Sequence, residues 1–156
     1  MLKTKEKILG LDYGDKSIGL SLYDVETDFF SPFKTIYRER PNVLRKSLRE
    51  LVDIIKEKNI STIVIGIPFS DDGSINERSE KTIEFKNVLK SRLDENKLEN
   101  VKIELINESN TTNEAKTYLK ENGFKGDDIK KNIDTISALI ILKDYIYKKE
   151  KENGKE

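Results

Sequence analysis

The sequence predicts an α/β domain: a mixed five-stranded sheet, made of a three-strand meander plus two parallel strands, with helices on both faces. Two observations predict it. Short runs rich in β-branched and aromatic residues at 7–11, 18–23 and 29–37 follow one another with only turn residues between them, the pattern of an antiparallel meander. From residue 41 onward, helical and strand periodicities alternate instead, and strands joined through helices pair in parallel.

Each element has its own justification. KILGL at 7–11 leads into Asp12-Tyr13-Gly14-Asp15, and apolar and small residues alternate over 18–23, so a hairpin is expected to turn at Gly14 and Asp15. Pro32 inside the third run marks an edge strand or a bulge. Pro41 is placed to open a helix, and Leu44, Leu48, Leu51, Val52 and Ile55 then recur at the spacing of one helical face resting on a sheet. TIVIGI at 62–67 is continuously β-branched and apolar, as a strand covered on both faces must be. Pro68 and Gly73 bound a loop, Ile83, Phe85, Leu89 and Leu93 mark a helix, and residues 101–106 form the fifth strand. Thr111 with Glu114 has the capping-box signature, and the helix it opens should run through Ala115, Tyr118 and Leu119 to Gly123. A last helix is expected over 128–147.

Composition narrows the chemistry. The 156 residues carry 29 Lys and Arg against 29 Asp and Glu, so 37% charge faces 35% hydrophobic residues with no net charge. A chain of this size still hides about two thirds of its unfolded surface, enough for one core. The expected organisation is a single domain over 7–147 between charged tails at 1–6 and 148–156. No run approaches the roughly 20 apolar residues of a membrane span, and the first residues are too charged to lead a signal peptide, so a cytoplasmic location is expected. The chain has no Cys and no His. That excludes disulfides, thiolate zinc sites, cysteine nucleophiles and every imidazole-based mechanism. What remains is carboxylates, Lys, Tyr, hydroxyls and metal ions held by oxygen. The neutral total argues against a general cationic coat for nucleic acid and leaves room for a local patch.

In open α/β sheets, sites form beyond the carboxyl ends of parallel strands. Asp12 lies at such an end, between Gly10 and Gly14, which would let a ligand or a backbone come close. Asn107-Glu108-Ser109 follows the fifth strand, and strand parity leaves open whether Asn107 or Glu108 faces the site. In the last helix, Asp134 is the one charge in an otherwise apolar stretch from Ile133 to Leu142, and a buried carboxylate needs a partner or a metal. Asp12, Glu108 and Asp134 are therefore expected to converge into an all-oxygen site suited to Mg²⁺ or Mn²⁺. Two such ions activate water and stabilise the leaving oxygen in phosphodiester cleavage. Alone, each acid also has a plainer reading: Asp12 as a turn aspartate, Glu108 as an exposed strand-end charge, Asp134 as a satisfied polar group at a packing seam. Tyr13 either stacks on a base or packs at the core rim.

Four blocks, in order, resemble a known family. Lys7-Ile-Leu-Gly-Leu-Asp12-Tyr-Gly14-Asp-Lys16-Ser-Ile-Gly19 is similar to the opening motif of the YqgF family of Holliday junction resolvases and precursor ribosomal RNA nucleases. Gly66-Ile-Pro68-Phe-Ser-Asp-Asp-Gly73 with Arg78 and Phe85 resembles its second block, Glu108 with Thr111-Thr112-Asn-Glu114-Ala115 its third, and Ile133-Asp134-Thr-Ile-Ser-Ala138-Leu-Ile-Ile-Leu142-Lys-Asp-Tyr145 its last. The resemblance covers about 7–147. It implies an RNase H-like fold and a metal-dependent endonuclease, with Asp12, Glu108 and Asp134 as catalytic metal ligands, Asp12 bridging two ions and the others holding one each. Its substrates would be structured nucleic acid: the precursor of small-subunit (16S) ribosomal RNA at its 5′ end, or branched DNA. Lys16 and Arg78, inside the matched blocks, and Lys130 and Lys131 are the candidate phosphate contacts.

This chain departs from the family pattern where Asn107 and Ser109 replace an acid and a cation, and where Ser17 replaces another cation. The alternative function is thus a catalytically weakened nucleic-acid-binding module in ribosome biogenesis. An Asp-x-Gly motif also occurs in actin-like sugar kinases, but 156 residues leave no room for their second lobe. Asp127, Asp128 and Asp144 remain open as a fourth ligand. A resolvase cutting two strands would favour a homodimer.

Overall fold

A computed structural model describes residues 6–38, 40, 43–108 and 111–154, without the side chains of Thr111 and Thr112. Strands β1 (Lys7–Tyr13), β2 (Ser17–Asp24) and β3 (Phe29–Tyr37) are followed by helix α1 (Arg45–Glu57), strand β4 (Ile60–Ile67), helix α2 (Glu77–Glu95), strand β5 (Lys102–Asn107) and helices α3 (Thr111–Glu121) and α4 (Asp127–Glu152). The sheet order is β3-β2-β1-β4-β5. β1, β2 and β3 pair antiparallel, while β4 pairs parallel with β1 and β5 with β4, so the expected meander and parallel extension form one mixed sheet.

The hairpin closes at Gly14, whose N–H donates to the Ser17 carbonyl. Pro32 lies on the edge strand, where the register shifts between Leu20 and Ser21, which satisfies both readings of that proline. Pro41, the expected opening of the first helix, lies outside the described residues, and the helix proper starts at Arg45. The Thr111 cap of α3 also lies outside them. The other end of α3 is described: Gly123 sits at φ +88°, the Phe124 N–H reaches back to the Leu119 carbonyl and the Gly123 N–H to that of Lys120, the bonding of a Schellman cap.

The two faces of the sheet are built differently. On one, Leu9, Leu11, Ile18, Leu20, Ile63 and Ile65 meet Leu48, Leu51 and Ile55 of α1 and Phe85, Leu89 and Leu93 of α2 in a hydrocarbon core. On the other, Ile8, Tyr23, Val64 and Ile106 meet Ile141 and Leu142 of α4, and α3 packs on α4 through Ala115, Leu119, Ile136 and Leu139. Here small residues set the spacing. A Cβ at Gly10 would fall 2.9 Å from the Ala138 carbonyl oxygen, and one at Gly19 would collide with the Asp134 backbone. The buried Ser21 hydroxyl donates to the Ala138 carbonyl at 2.7 Å, so α4 lies almost directly on strand backbone.

α4 continues to Glu152, past the expected end at 147. Its polar last turns are held by the sheet: Tyr145 donates to Glu104 of β5 at 2.7 Å, and the Lys149 ammonium lies 3.7 Å from the same carboxylate. A run of Lys and Glu reads as a solvated tail, yet it is equally a helix surface when one face has a partner.

Candidate active site

Pleating decides which side chains reach the site. Successive residues of a strand point to opposite faces, so Gly10 and Asp12 face α4 while Leu11 and Tyr13 face α1 and α2. On β4 the same parity gives Gly66 to the α4 face. The Glu108 N–H donates to the Ile67 carbonyl at 3.0 Å, which extends the parallel ladder and puts Glu108 on the same side as Ile106. Asn107 is exposed on the opposite side. The residue left open by parity is therefore Glu108: it lines a cleft of about 180 Å³ with Asp12, Tyr13, Gly66, Pro68, Arg78 and Ile141. Gly66, having no side chain, leaves the gap between the two carboxylates, and the Ile141 side chain lies against it from above.

The electrostatics of the cleft are unfavourable to its own acids. Asp12 is pushed up from 3.8 to about 6, first by burial and then by the charge of Asp134, while the Arg78 guanidinium and the nearby Ser137 hydroxyl pull it down. That hydroxyl is buried beside Asp12 without completing a hydrogen bond of normal geometry. Glu108 is held far above the usual carboxylate range by burial and by its hydrogen bond to Asp144, against the milder opposing pull of Lys148. Its Oε1 is buried without a hydrogen-bond partner.

Asp134 sits at the back of this arrangement. It acts on Asp12 through its charge but does not line the cleft, and its Oδ2 accepts a hydrogen bond from the Ser17 hydroxyl at 2.7 Å. The three acids are thus linked in pairs, Asp12 with Glu108 across the cleft and Asp12 with Asp134 behind it. Among the described residues no three acidic side chains come close enough to share one ion. Arg78 lines the acidic cleft, and Lys16 lines a second cleft beyond Tyr13. Lys130 and Lys131 are exposed on the first turns of α4 and line neither.

The structure decides two readings the sequence left open, for Asp144 and for Tyr13, and adds one it did not offer, for Ser17. Asp144, left open beside Asp127 and Asp128, is the acid that touches Glu108, and its place three residues after Ile141 on one helical face is the signal that separates it from the exposed pair at the start of α4. Ser17 turns out to be a donor to Asp134. Tyr13 does not offer a face to a base: Phe85 stacks on one side, with centroids 4.1 Å apart, and the Arg38 guanidinium covers the other at 4.8 Å.

A five-stranded sheet in this order, with a long helix packed across the ends of β1 and β5, has the RNase H-like fold. The chain is similar in fold to the structure described as T. thermophilus RuvC in complex with Holliday junction substrate, at a TM-score of 0.55 and 9% identity over 91% of this chain and 95% of that one. The fowlpox virus Holliday junction resolvase gives a TM-score of 0.54 at 13% identity, over 91% and 98% of the two chains. The family model described as "RuvX: Holliday junction resolvase" matches residues 6–148, and the chain belongs to that family of nucleases. Proteins named "Putative pre-16S rRNA nuclease" match along nearly their whole length. One from Lachnospira eligens is 34% identical over 93% of this chain and 99% of its own, and one from Malacoplasma penetrans is 35% identical over 96% and 99%.

Proposed function

We propose that this protein is a divalent-metal-dependent endonuclease that processes the 5′ end of the small-subunit ribosomal RNA precursor, with Asp12, Glu108 and Asp134 as its catalytic acids. The observation that carries the reading is that two carboxylates whose ionised forms are disfavoured by burial line one cleft. Asp12 is raised by burial and by Asp134, and Glu108 keeps a buried oxygen with no donor. A group of acids this short of positive charge is what a cation would stabilise. The donors are all hard oxygens and the chain has neither His nor Cys, which fits Mg²⁺ or Mn²⁺ rather than a softer metal. Asp12 with Glu108 would hold such an ion across the cleft and Asp12 with Asp134 one behind it, with Asp144 next to Glu108 as the fourth acid. Bound there, the ion supplies Lewis-acid stabilisation and an acidified water.

The chain's own groups do the rest. Arg78 offers a guanidinium to the phosphodiester at the cleft wall, where bidentate contact to phosphate oxygens fixes its orientation. Ser17 holds Asp134 in one rotamer, and Ile141 and Pro68 shield the acids from bulk water. The relatives named for ribosomal RNA processing cover this chain at far higher identity than the resolvases do, which favours RNA. The family's own description supports branched DNA as the second reading, and that substrate would call for a homodimer. The weakened-module alternative loses ground from the site itself. Asn107 points away from the cleft, so its lost carboxylate was not in place to hold an ion there, and Ser17 supports an acid. Acting on ribosomal precursors would place the protein in the cytoplasm, as one domain over 7–147.

The test is cleavage of a 5′-extended 16S RNA fragment and of a four-way DNA junction with Mg²⁺ or Mn²⁺. Asp12→Asn, Glu108→Gln and Asp134→Asn should each abolish cleavage while melting as folded proteins. Variants that cut like the parent would overturn the assignment.

A further inference from the structure

The acidic cleft has a neighbour. On the other side of Tyr13 lies a second cleft of about 600 Å³, lined by Tyr13, Asp15, Lys16, Arg38, Leu44, Lys81, Glu84, Phe85 and Val88. Tyr13 is the wall common to both, because Asp12 and Tyr13 are consecutive on β1 and point to opposite faces. α2 runs past both clefts, presenting Arg78 to the first and Lys81, Phe85 and Val88, on the same helical face, to the second. We infer that this second cleft receives an unpaired nucleotide flanking the phosphodiester held at Asp12 and Glu108, its base against Leu44 and Val88 and its phosphate on Lys16, Arg38 and Lys81. The inference rests on the nuclease reading and deepens it, since it makes the substrate a strand that is single-stranded beside the cut.

Three observations support it. The cleft has the volume of a small-ligand site and combines an apolar wall with cations, the combination that binds single strands. Its central cation is positioned in advance: the Arg38 guanidinium donates to the Gly14 carbonyl and lies over Tyr13, while the Arg38 N–H donates to the Lys16 carbonyl at 2.9 Å. Among the described residues Lys81 is held only by exposed carboxylates, at 4.0 Å from Asp15 and 3.6 Å from Glu77, contacts weak enough for a phosphate to replace. Asp15 and Glu84 leave the lining with a modest positive excess, which suits one phosphate rather than a polyanionic duplex.

The experiment uses the full chain in EDTA, where no metal-dependent cleavage runs. AMP is titrated against the amide NMR spectrum, and a fluorescent twelve-nucleotide single-stranded RNA is followed by anisotropy. AMP should move the signals of Lys16, Lys81 and Val88. Lys81→Glu and Val88→Glu, both at exposed positions, should weaken AMP and the single strand by about tenfold, the first by removing a phosphate contact and the second by placing a charge on the apolar wall. Equal shifts with ribose 5-phosphate, or affinities of both variants within about twofold of the parent, would overturn the inference. Asp12→Asn separates the two claims: it should lose cleavage and bind AMP unchanged, whereas continued cleavage would sink the nuclease reading whatever AMP does.

Discussion

The two faces of this sheet carry opposite designs at the same strand ends. Beneath α1 and α2, Leu9, Leu11, Ile63, Phe85 and Leu89 are fully buried hydrocarbon, and even Tyr13 is packed between a ring and a guanidinium. Beneath α4 the strands present Gly10, Gly19, Ser21 and Gly66, and the space they leave holds Asp12, Glu108, Asp134 and Asp144. The first face maximises apolar burial. The second trades burial for a helix close enough to bring carboxylates together, and the ionised forms of Asp12 and Glu108 are disfavoured there by burial, a penalty that Arg78 and Lys148 offset only in part. Stability is supplied on one side of the sheet and spent on the other.

The largest expected effect is on the apolar face. Phe85→Ala removes a fully buried ring and its stack on Tyr13, and should cost about 3–5 kcal/mol with a further ~1 kcal/mol for the lost stacking. Urea unfolding measures it. A loss under about 1 kcal/mol would mean that this face is not the stabilising one.

The same experiment on the α4 face should go the other way. Raising Asp12 from 3.8 to about 6 corresponds to roughly 3 kcal/mol of folding free energy. The sign follows from linkage. Below pH 4 the carboxyl is protonated in both folded and unfolded chains and nothing is lost. Between pH 4 and 6 the unfolded chain ionises first, so the native state loses stability as pH rises, and above pH 6 the whole penalty is present. Asp12→Asn should therefore stabilise the metal-free protein at pH 7 by up to ~3 kcal/mol and remove this part of the pH dependence. Mn²⁺ should narrow the gap, since it stabilises the parent's ionised acid. An Asn variant less stable than the parent at pH 7 would show that Asp12 is a structural aspartate.

Next in size is the seam itself. Gly19→Ala places a methyl group against the Asp134 backbone and should cost about 1–3 kcal/mol through a shift of α4. Gly14→Ala, with its nearest neighbour 3.2 Å away at the hairpin turn, should be milder. Thermal melting compares the two, and equal losses would mean that α4 is not seated on Gly19.

Much of this was legible because burial leaves a pattern. The strands and α1 announce themselves by period, and Asp12, Glu108 and Asp134 by position at strand ends and in an apolar helix. What stayed hidden depends on contacts across the chain. The choice between Asn107 and Glu108 could not be read from alternation, because β5 is an edge strand that mixes polar and apolar residues on both faces, Lys102 and Glu104 with Ile106 on one and Ile103 and Leu105 with Asn107 on the other, and it took the Glu108 N–H bonded to the Ile67 carbonyl to fix the parity. The cap of α2 uses Asn76 with Ser79 in place of the usual Glu or Gln, so the common signature passes over it. The Arg38, Tyr13 and Phe85 stack joins β3, β1 and α2, and no local spacing encodes it.

The smallest effect tests how the α4 face holds its acids. Ser17 stands where the family usually has a cation, and its hydroxyl reaches Asp134 at 2.7 Å from a half-buried position. A single hydrogen bond to a partly solvated carboxylate contributes only about 1 kcal/mol to stability. Groups that orient a metal ligand matter more for the metal, typically changing its affinity by 10–100-fold. Ser17→Ala should therefore unfold within about 1 kcal/mol of the parent but require about tenfold more Mn²⁺ for the same rise in melting temperature. Ser17→Thr keeps the hydroxyl and should restore the affinity. Lost stability with unchanged Mn²⁺ response would make Ser17 part of the fold alone, and would move the functional boundary of this face from Asp134 back to the cleft between Asp12 and Glu108.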